Sequence, residues 1–337
     1  MRTHLALTLP SRARTAALGL LATTLLGGLV AAPAHAAAAA GPGTLHVELG
    51  GRAGACIQAA PCGSLAQAYA VATPGQQVQV GPGRFPTQRI NPARGHVEGS
   101  PVRFVGRGEQ TVLTGATDVY APDVVLSELT TGSVRLRSTA ARSRLERVHV
   151  NGSVLMDGPF TAVVESVVTP PPDTDGIDVR YADDALVQGN RVGPGLRGPA
   201  WGHVDCLQVM GGARLRVIDN VFDRCATQQV LIKADIRPIT DVLMIGNHTI
   251  GCGTRTPSCD GWWSVYVSRK GAHPISGVRL IGNTIDGGLY AHDIPGLLVS
   301  GNTVARMGRC GTWAYGNTVT DGSCELPSVR RSVRLRP

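Results

Sequence analysis

Only two of the 337 residues are lysine, Lys233 and Lys270, against thirty arginines. The distinction is chemical: a guanidinium stays protonated at physiological pH, whereas an ammonium can be tuned into a base. Lys233 sits in LIKADI, between Ile232 and Ala234. Upstream, DTDGIDVR supplies Asp175, Asp178 and Arg180, and HVDCLQV supplies His203, Asp205 and Gln208. Paired carboxylates can do general acid–base work or bind calcium, and a His-x-Asp pair can hold a metal or move a proton. Structural readings compete at each position. Aspartates in such runs also cap turns, and a surface lysine can simply pair with Asp235 or Asp178. Trp262-Trp263, beside the loop holding Cys252 and Cys259, can stack on a sugar or plug the space under that loop.

Bringing these residues together requires elements that recur, and the chain has them. A phrase of apolar residues around Gly-Asn or Asp-Asn returns as VQGNRV, VIDNVF, MIGNHTI, LIGNTI, VSGNTV and AYGNTV, centred on Asn190, Asn220, Asn247, Asn283, Asn302 and Asn317. LSELTT, LERVHV and VVESVV fill a similar slot upstream without the asparagine. Each phrase alternates with period 2 on both sides of a corner, which spells strand, turn, strand, and no segment sustains a 3.6 period. A chain that advances one strand spacing per coil, about 4.8 Å, stacks like on like. The fold class is therefore all-β, a single right-handed parallel β-helix (a solenoid) over residues 44–325. A propeller or a hairpin sandwich wants four-stranded blades or two-residue hairpin turns, and neither pattern is present. The recurring asparagines read as a structural ladder at the corners.

The asparagines also serve as a ruler. Twelve residues before Asn190 lies Asp178, and twelve before Asn220 lies Gln208, each between apolar neighbours that point inward and leave it outward. Allowing two extra residues near Arg237-Pro238, the same slot in the next coil falls to Lys233. Tyr266 or Ser268 and then His292 continue the column. An outward stripe of Asp178, Gln208 and Lys233 is expected, flanked by Asp175, Arg180, His203 and Asp205. The catalytic candidates are Lys233, Asp205 and Asp178, and the substrate-binding candidates are His203, Gln208, Arg180, Asp175, Tyr266, His292 and Trp262. Calcium, if used, would fall to Asp175, Asp178 and Asp205. The ruler also stacks Cys225 on Cys252, suggesting Cys225–Cys252 and Cys206–Cys259, with Cys56–Cys62 and Cys310–Cys324 as local bridges. Pairing of sequential neighbours, Cys206–Cys225 and Cys252–Cys259, is the alternative.

Residues 1–36 read as a secretory signal peptide: early arginines, an apolar run from Ala16 to Ala32, then Ala34-His35-Ala36. That run is slightly short for a span and holds two adjacent glycines, and no second one follows, so no membrane span is expected. Eight cysteines suit an oxidising, extracellular destination. Of the formal net charge of +8, seven arginines lie in the leader and in the last eight residues, and removing them leaves the body at +1. A basic nucleic-acid face is not indicated, and the tail at 328–337 should be peripheral. A monomer is expected.

The segment from Gly63 to Phe85 resembles the opening of secreted β-helix proteins of the pectate-lyase-like superfamily, in which a short helix caps the first coil. Ser64 is placed to N-cap it, Leu65, Ala68 and Tyr69 share a face, and Pro74-Gly75 ends it. The resemblance implies a carbohydrate-active protein, first of all a polysaccharide lyase that cleaves a uronic-acid polymer by β-elimination. Lys233 would then be the base, with Arg180 or Asp-bound calcium neutralising the carboxylate. DTDGIDV also resembles the NTDGID signature of polygalacturonases, Asp205-Cys206 their Asp-Asp-Cys, and Ile232-Lys233 their Arg-Ile-Lys, which implies a glycoside hydrolase instead. Asp173 stands where that signature has Asn, Val204 replaces the first aspartate of the pair, and a Gly-His-Gly element is missing. A non-catalytic carbohydrate- or surface-binding β-helix is the third reading.

Overall fold

Alternating aliphatic residues fold the repeats into short strands, each lying parallel to the strand one coil away. The structure, a computed structural model, describes residues 43–253, 256–259, 261–311 and 313–321. The expected signal peptide, the basic tail and Cys324 lie outside the described residues. Among these, thirty strands from Leu45–Val47 to Thr318–Val319 and one helix form a right-handed parallel β-helix built on one continuous sheet. No helix among them is long and apolar enough to cross a membrane.

The inward columns make the core. Ile177, Leu207, Val230 and Val265 stack in register, as do Val179, Val209, Ile232 and Val267, and none is more than 1% exposed. Burying each such side chain contributes about 1.5–3 kcal/mol. The helix Leu65–Val71 covers the first coils. Ser64 Oγ accepts the Gln67 N–H at 3.2 Å, Leu65, Ala68 and Tyr69 are buried, and the Tyr69 hydroxyl donates to the Pro122 carbonyl at 3.0 Å.

Along one corner runs the asparagine ladder. The backbone N–H and side-chain amide of Asn190 both donate to Oδ1 of Asn220 at 2.9 Å, while that amide also donates to the Val163 carbonyl. Asn220 repeats this toward Asn247, Asn247 toward Asn283, Asn283 toward Asn302 and Asn302 toward Asn317. The first five are no more than 2% exposed. Each corner thus satisfies the polar backbone groups that a tight turn would otherwise strand in the interior.

Two disulfides differ from the first expectation. Cys56 bonds Cys62, but Cys206 bonds Cys225 (Cα–Cα 5.4 Å) and Cys252 bonds Cys259 (5.7 Å), the sequential arrangement. Cys225 is wholly buried beside Cys206, whereas Cys252 is half-buried in the loop that Cys259 closes. Stacking on adjacent coils gave Cys225 and Cys252 proximity but not facing side chains. Cys310 is disulfide-bonded.

The ladder predicts a graded loss of stability. Asn220→Ala strands several buried partners at about 1–3 kcal/mol each, so thermal unfolding should show a marked drop in Tm, with a smaller drop for Asn317→Ala at the half-buried end.

Candidate active site

The outward column beside the inward stacks reads Leu155, Asp178, Gln208, Leu231, Tyr266 and Tyr290 in strand register. Leu231, not Lys233, neighbours Gln208. The ruler allowed two extra residues in the turn after that strand, and there are four: sixteen residues separate Leu231 from Asn247, against twelve from Gln208 to Asn220. The longer turn at Asp235–Pro238 is held by the Ile236 N–H donating to the Met210 carbonyl. Lys233 still faces outward, two residues further along the strand and in register with Ser268, and its ammonium lies 2.9 Å from Asp235.

Asp175, Asp178, His203, Asp205 and Gln208 do come together. Gly176 allows it, since a Cβ there would meet the Cys206 carbonyl at 2.6 Å and Val192 at 2.5 Å, so Asp175 can rest against the next coil. Asp175 Oδ1 accepts the Asp205 N–H at 2.6 Å. The Gln208 side-chain amide donates to Asp175 Oδ2 and Asp178 Oδ1, each at 3.0 Å. Arg180, expected to bind substrate, is tied to Asp178 at 3.0 Å. Asp205 is fully buried. Its Oδ1 accepts the Gln228 N–H at 2.9 Å, and its Oδ2 lies 3.0 Å from His203 Nδ1, although that contact is too poorly aligned to give Oδ2 a hydrogen-bond partner.

Burial dominates the proton affinities of the cluster. It pushes the Asp175 carboxyl up to about 7, with the neighbouring Asp205 and Asp178 charges adding to the rise and the Asp205 N–H opposing it. Desolvation also raises Asp178, against the pull of Arg180, and Asp205, against His203. The Asp205 carboxylate in turn holds His203 above its ordinary value. Asp175, His203 and Asp205 each bring a ligand atom within 4.8 Å of the others, a group that could hold a metal ion. Its donor set does not suit calcium, which takes six to eight oxygens. One donor is an imidazole, and both Asp175 oxygens and one of Asp205 already accept protein N–H groups.

Of this cluster, His203 and Gln208 line a cleft of about 440 Å³, together with Gln228, Leu231, Lys233, Tyr266 and Lys270 among others; Asp175, Asp178 and Asp205 are not part of its lining. Tyr266, Ser268 and Lys270 also line an adjoining cleft of about 290 Å³ that ends at Tyr290 and His292. Tyr266 stacks on Tyr290, ring centroids 4.9 Å apart. Trp262 is half exposed, with the Arg306 guanidinium over its ring at 4.5 Å. A third cleft, about 400 Å³ near Cys56–Cys62, has Glu48 and Arg52 as its only charged lining and no titratable cluster. The sequence reading missed Tyr290, Gln228 and Asp173. Asp173 accepts N–H groups from Gly198, Ala200 and Gly202 at 2.8–3.0 Å and so folds the loop that presents His203. Its position where the similar motif has Asn was the available signal.

No protein-family model matches the chain, and no curated protein sequence does. Among solved structures it is similar to a rhamnogalacturonan lyase (TM-score 0.48, 10% identity, 86% of this chain and 85% of that one). It is also similar to the pectate lyase Pel9A (0.47, 12%, 84% and 76%) and to PfbA, a surface adhesin of Streptococcus pneumoniae (0.46, 11%, 70% and 78%). No functional assignment follows from likenesses this distant.

The raised carboxyls make stability depend on pH with a definite sign. The folded protein holds the Asp175 proton to higher pH than the unfolded chain does, so that contribution is complete below about pH 4 and is lost as pH rises through about 7. Asp178, Asp205 and His203 shift in the same direction and add to it. Tm should therefore fall between mildly acidic and mildly alkaline buffer, and Asp175→Asn should flatten that decline and raise Tm on the alkaline side. An unchanged slope by calorimetry would contradict the cluster's electrostatics.

Proposed function

We propose that the protein is a secreted carbohydrate-active β-helix that cleaves an acidic, uronate-bearing polysaccharide by β-elimination in this cleft. The observation that carries the reading is the meeting of two kinds of group in one cleft. His203, its proton affinity raised by Asp205, lines the cleft with the Asp175 carboxyl, pushed up to about 7, within 4.8 Å of it, and the same cleft is lined by Lys233 and Lys270. Disulfide bonding supports export.

Elimination requires a cation on the uronate carboxylate, a base for the adjacent C–H and an acid for the departing oxygen. The ion pair with Asp235 suits Lys233 to the first task, since a substrate carboxylate can take the place of the Asp235 one. Asp175, ionised above about pH 7, takes the C5 proton. The C–H electrons form the C4–C5 double bond, the C4–O bond breaks, and the departing oxygen receives a proton from His203, whose hold on that proton Asp205 strengthens. Asp178, braced by Arg180, positions Asp175 through Gln208. Hydrolysis would need two carboxyl groups flanking the scissile bond. Here Asp175, Asp178 and Asp205 lie together on adjacent coils, and Asp235 lies beside Lys233 at 2.9 Å.

Incubation with a panel of uronate and neutral polysaccharides tests this directly. Elimination produces ultraviolet absorbance from the new double bond, whereas reducing ends without that absorbance would establish hydrolysis and overturn the mechanism. Asp175→Asn and His203→Gln should each lower kcat by about 100-fold or more. Lys233→Ala should act mainly through KM, by about tenfold, and Lys233→Arg should retain much of the activity because a guanidinium also holds a carboxylate. If Lys233→Arg is as damaged as Lys233→Ala with KM unchanged, Lys233 is the base instead. Activity should rise with pH through about 7 as Asp175 ionises and fall again as His203 loses its proton.

A further inference from the structure

The far end of the groove holds a second constellation. Asp293 Oδ2 lies 2.8 Å from His292 Nδ1, and His292 Nε2 lies 2.5 Å from the Tyr290 hydroxyl. The Asp293 carboxylate also pairs with Arg269 at 3.1 Å. Its acidity is strengthened chiefly by the His292 hydrogen bond, so it stays ionised and can only accept. In the neutral imidazole the Nδ1 proton points at Asp293, Nε2 is left as the acceptor, and the phenolic hydroxyl donates into it. An oxygen whose proton is aimed at a base that is itself oriented by a carboxylate has the arrangement of an activated nucleophile.

Packing fixes the phenol in place. Its ring stacks on Tyr266 at 4.9 Å, meets the His292 ring edge-on at 4.7 Å and lies 5.3 Å from Trp263. The cleft of about 290 Å³ in front of it is lined by Ser268, Arg269 and Lys270 as well, so cations face the space where a reacting carbonyl oxygen would sit. Three coil spacings separate Gln208 from Tyr290 in the column, about 14 Å. The Tyr290 hydroxyl thus cannot serve the bond that Asp175 and His203 address.

We propose that Tyr290, His292 and Asp293 form an acyl-transfer site that removes ester-linked acyl groups from a sugar chain lying in the groove. The sugar part of that substrate rests on the groove reading above; the acyl chemistry rests on these three residues. The Tyr290 oxygen attacks the ester carbonyl while its proton passes to His292 Nε2. The tetrahedral adduct, its oxyanion facing Lys270, expels the sugar oxygen, which takes the proton back from His292. Water then attacks the acyl-tyrosine, its proton passes through His292 to the departing phenolic oxygen, and the carboxylic acid leaves. Tyr290 is the catalytic residue, His292 carries the proton, and Asp293 is a positioning residue.

The full-length secreted protein can be tested without knowing its polysaccharide. An aryl sulfonyl fluoride, with labelled tyrosines mapped by mass spectrometry, should modify half-buried Tyr290 about tenfold or more faster than Tyr181 and Tyr315, which are 50% and 59% exposed. His292→Gln should abolish that preference, and Asp293→Asn should reduce it while Asp293→Glu restores part. Hydrolysis of 4-nitrophenyl acetate should be lost in Tyr290→Phe, which keeps the stacked ring, with Tm unchanged. Labelling of Tyr290 no faster than of Tyr181 and Tyr315 would overturn the proposal, and so would fast labelling combined with full ester hydrolysis by Tyr290→Phe. Failure of polysaccharide cleavage with both results intact would count against the groove chemistry alone.

Discussion

One interaction sets the geometry of everything else: an asparagine side chain at a buried corner that receives two hydrogen bonds from the coil before and gives its own amide protons to the coil after and to a backbone carbonyl. A parallel solenoid has no helical crossover to absorb its turns, so each corner must bury polar backbone groups within the stack. Asn190, Asn220, Asn247, Asn283 and Asn302 answer that at one corner of the later coils. In the earlier coils serines take over part of the task. Ser143 Oγ accepts the Val124 N–H, Ser166 Oγ accepts the Val148 N–H, and the Ser166 N–H begins the asparagine series by donating to Asn190. Because each link joins adjacent coils, coil spacing and strand register are locked together. The acid cluster inherits that order, since Asp175 reaches Asp205 only if its strand lies in register with the next.

What was legible follows from this. The asparagines repeat because the corner repeats, and the inward columns of Ile, Leu and Val repeat because the core does, so fold class and capping helix could be read without coordinates. Asp178 and Gln208 were placed side by side correctly because the turn between each of them and its asparagine has the same length. Lys233 was misplaced because the turn after its strand carries four additional residues, and turn length is free to vary where the core is not. Tyr290 escaped notice for a related reason. Its strand reads TIDGGLY, and the register shifts between Ile285 and Gly288, where a Cβ at Gly288 would strike the Trp263 ring at 2.4 Å. Aliphatic periodicity stops there, and with it the ruler.

Disulfides fail to be read for a directional reason. Spacing along a solenoid gives which residues are neighbours, but bond formation depends on where each Cβ points. Cys225 turns into the core toward Cys206, and the Cys252–Cys259 bridge instead closes a surface loop whose Ser258 carbonyl accepts the Arg197 N–H. That contact joins the loop to the one Asp173 folds, so the wall bearing His203 is braced from two sides.

The same freedom that defeats sequence reading is what allows a rigid stack to carry chemistry. The core tolerates little change in volume or register, whereas the turns can lengthen, and outward positions can take any side chain the next coil does not exclude. Burial near the stack then does the electrostatic work. Asp175 is lifted toward neutrality chiefly because it rests against the next coil rather than in water. Half-buried Asp184 and exposed Asp293 stay low because an arginine or histidine hydrogen bond dominates there. A carboxyl on this fold therefore becomes a proton-exchanging group by sitting at the inner edge of the outward face, within reach of a backbone N–H from the neighbouring coil. Asp175 and Asp205 are both raised by burial, and each takes a donor from the next strand with His203 nearby, but Asp205 is fully buried whereas Asp175 is only partly so, which is why proton transfer is assigned to Asp175.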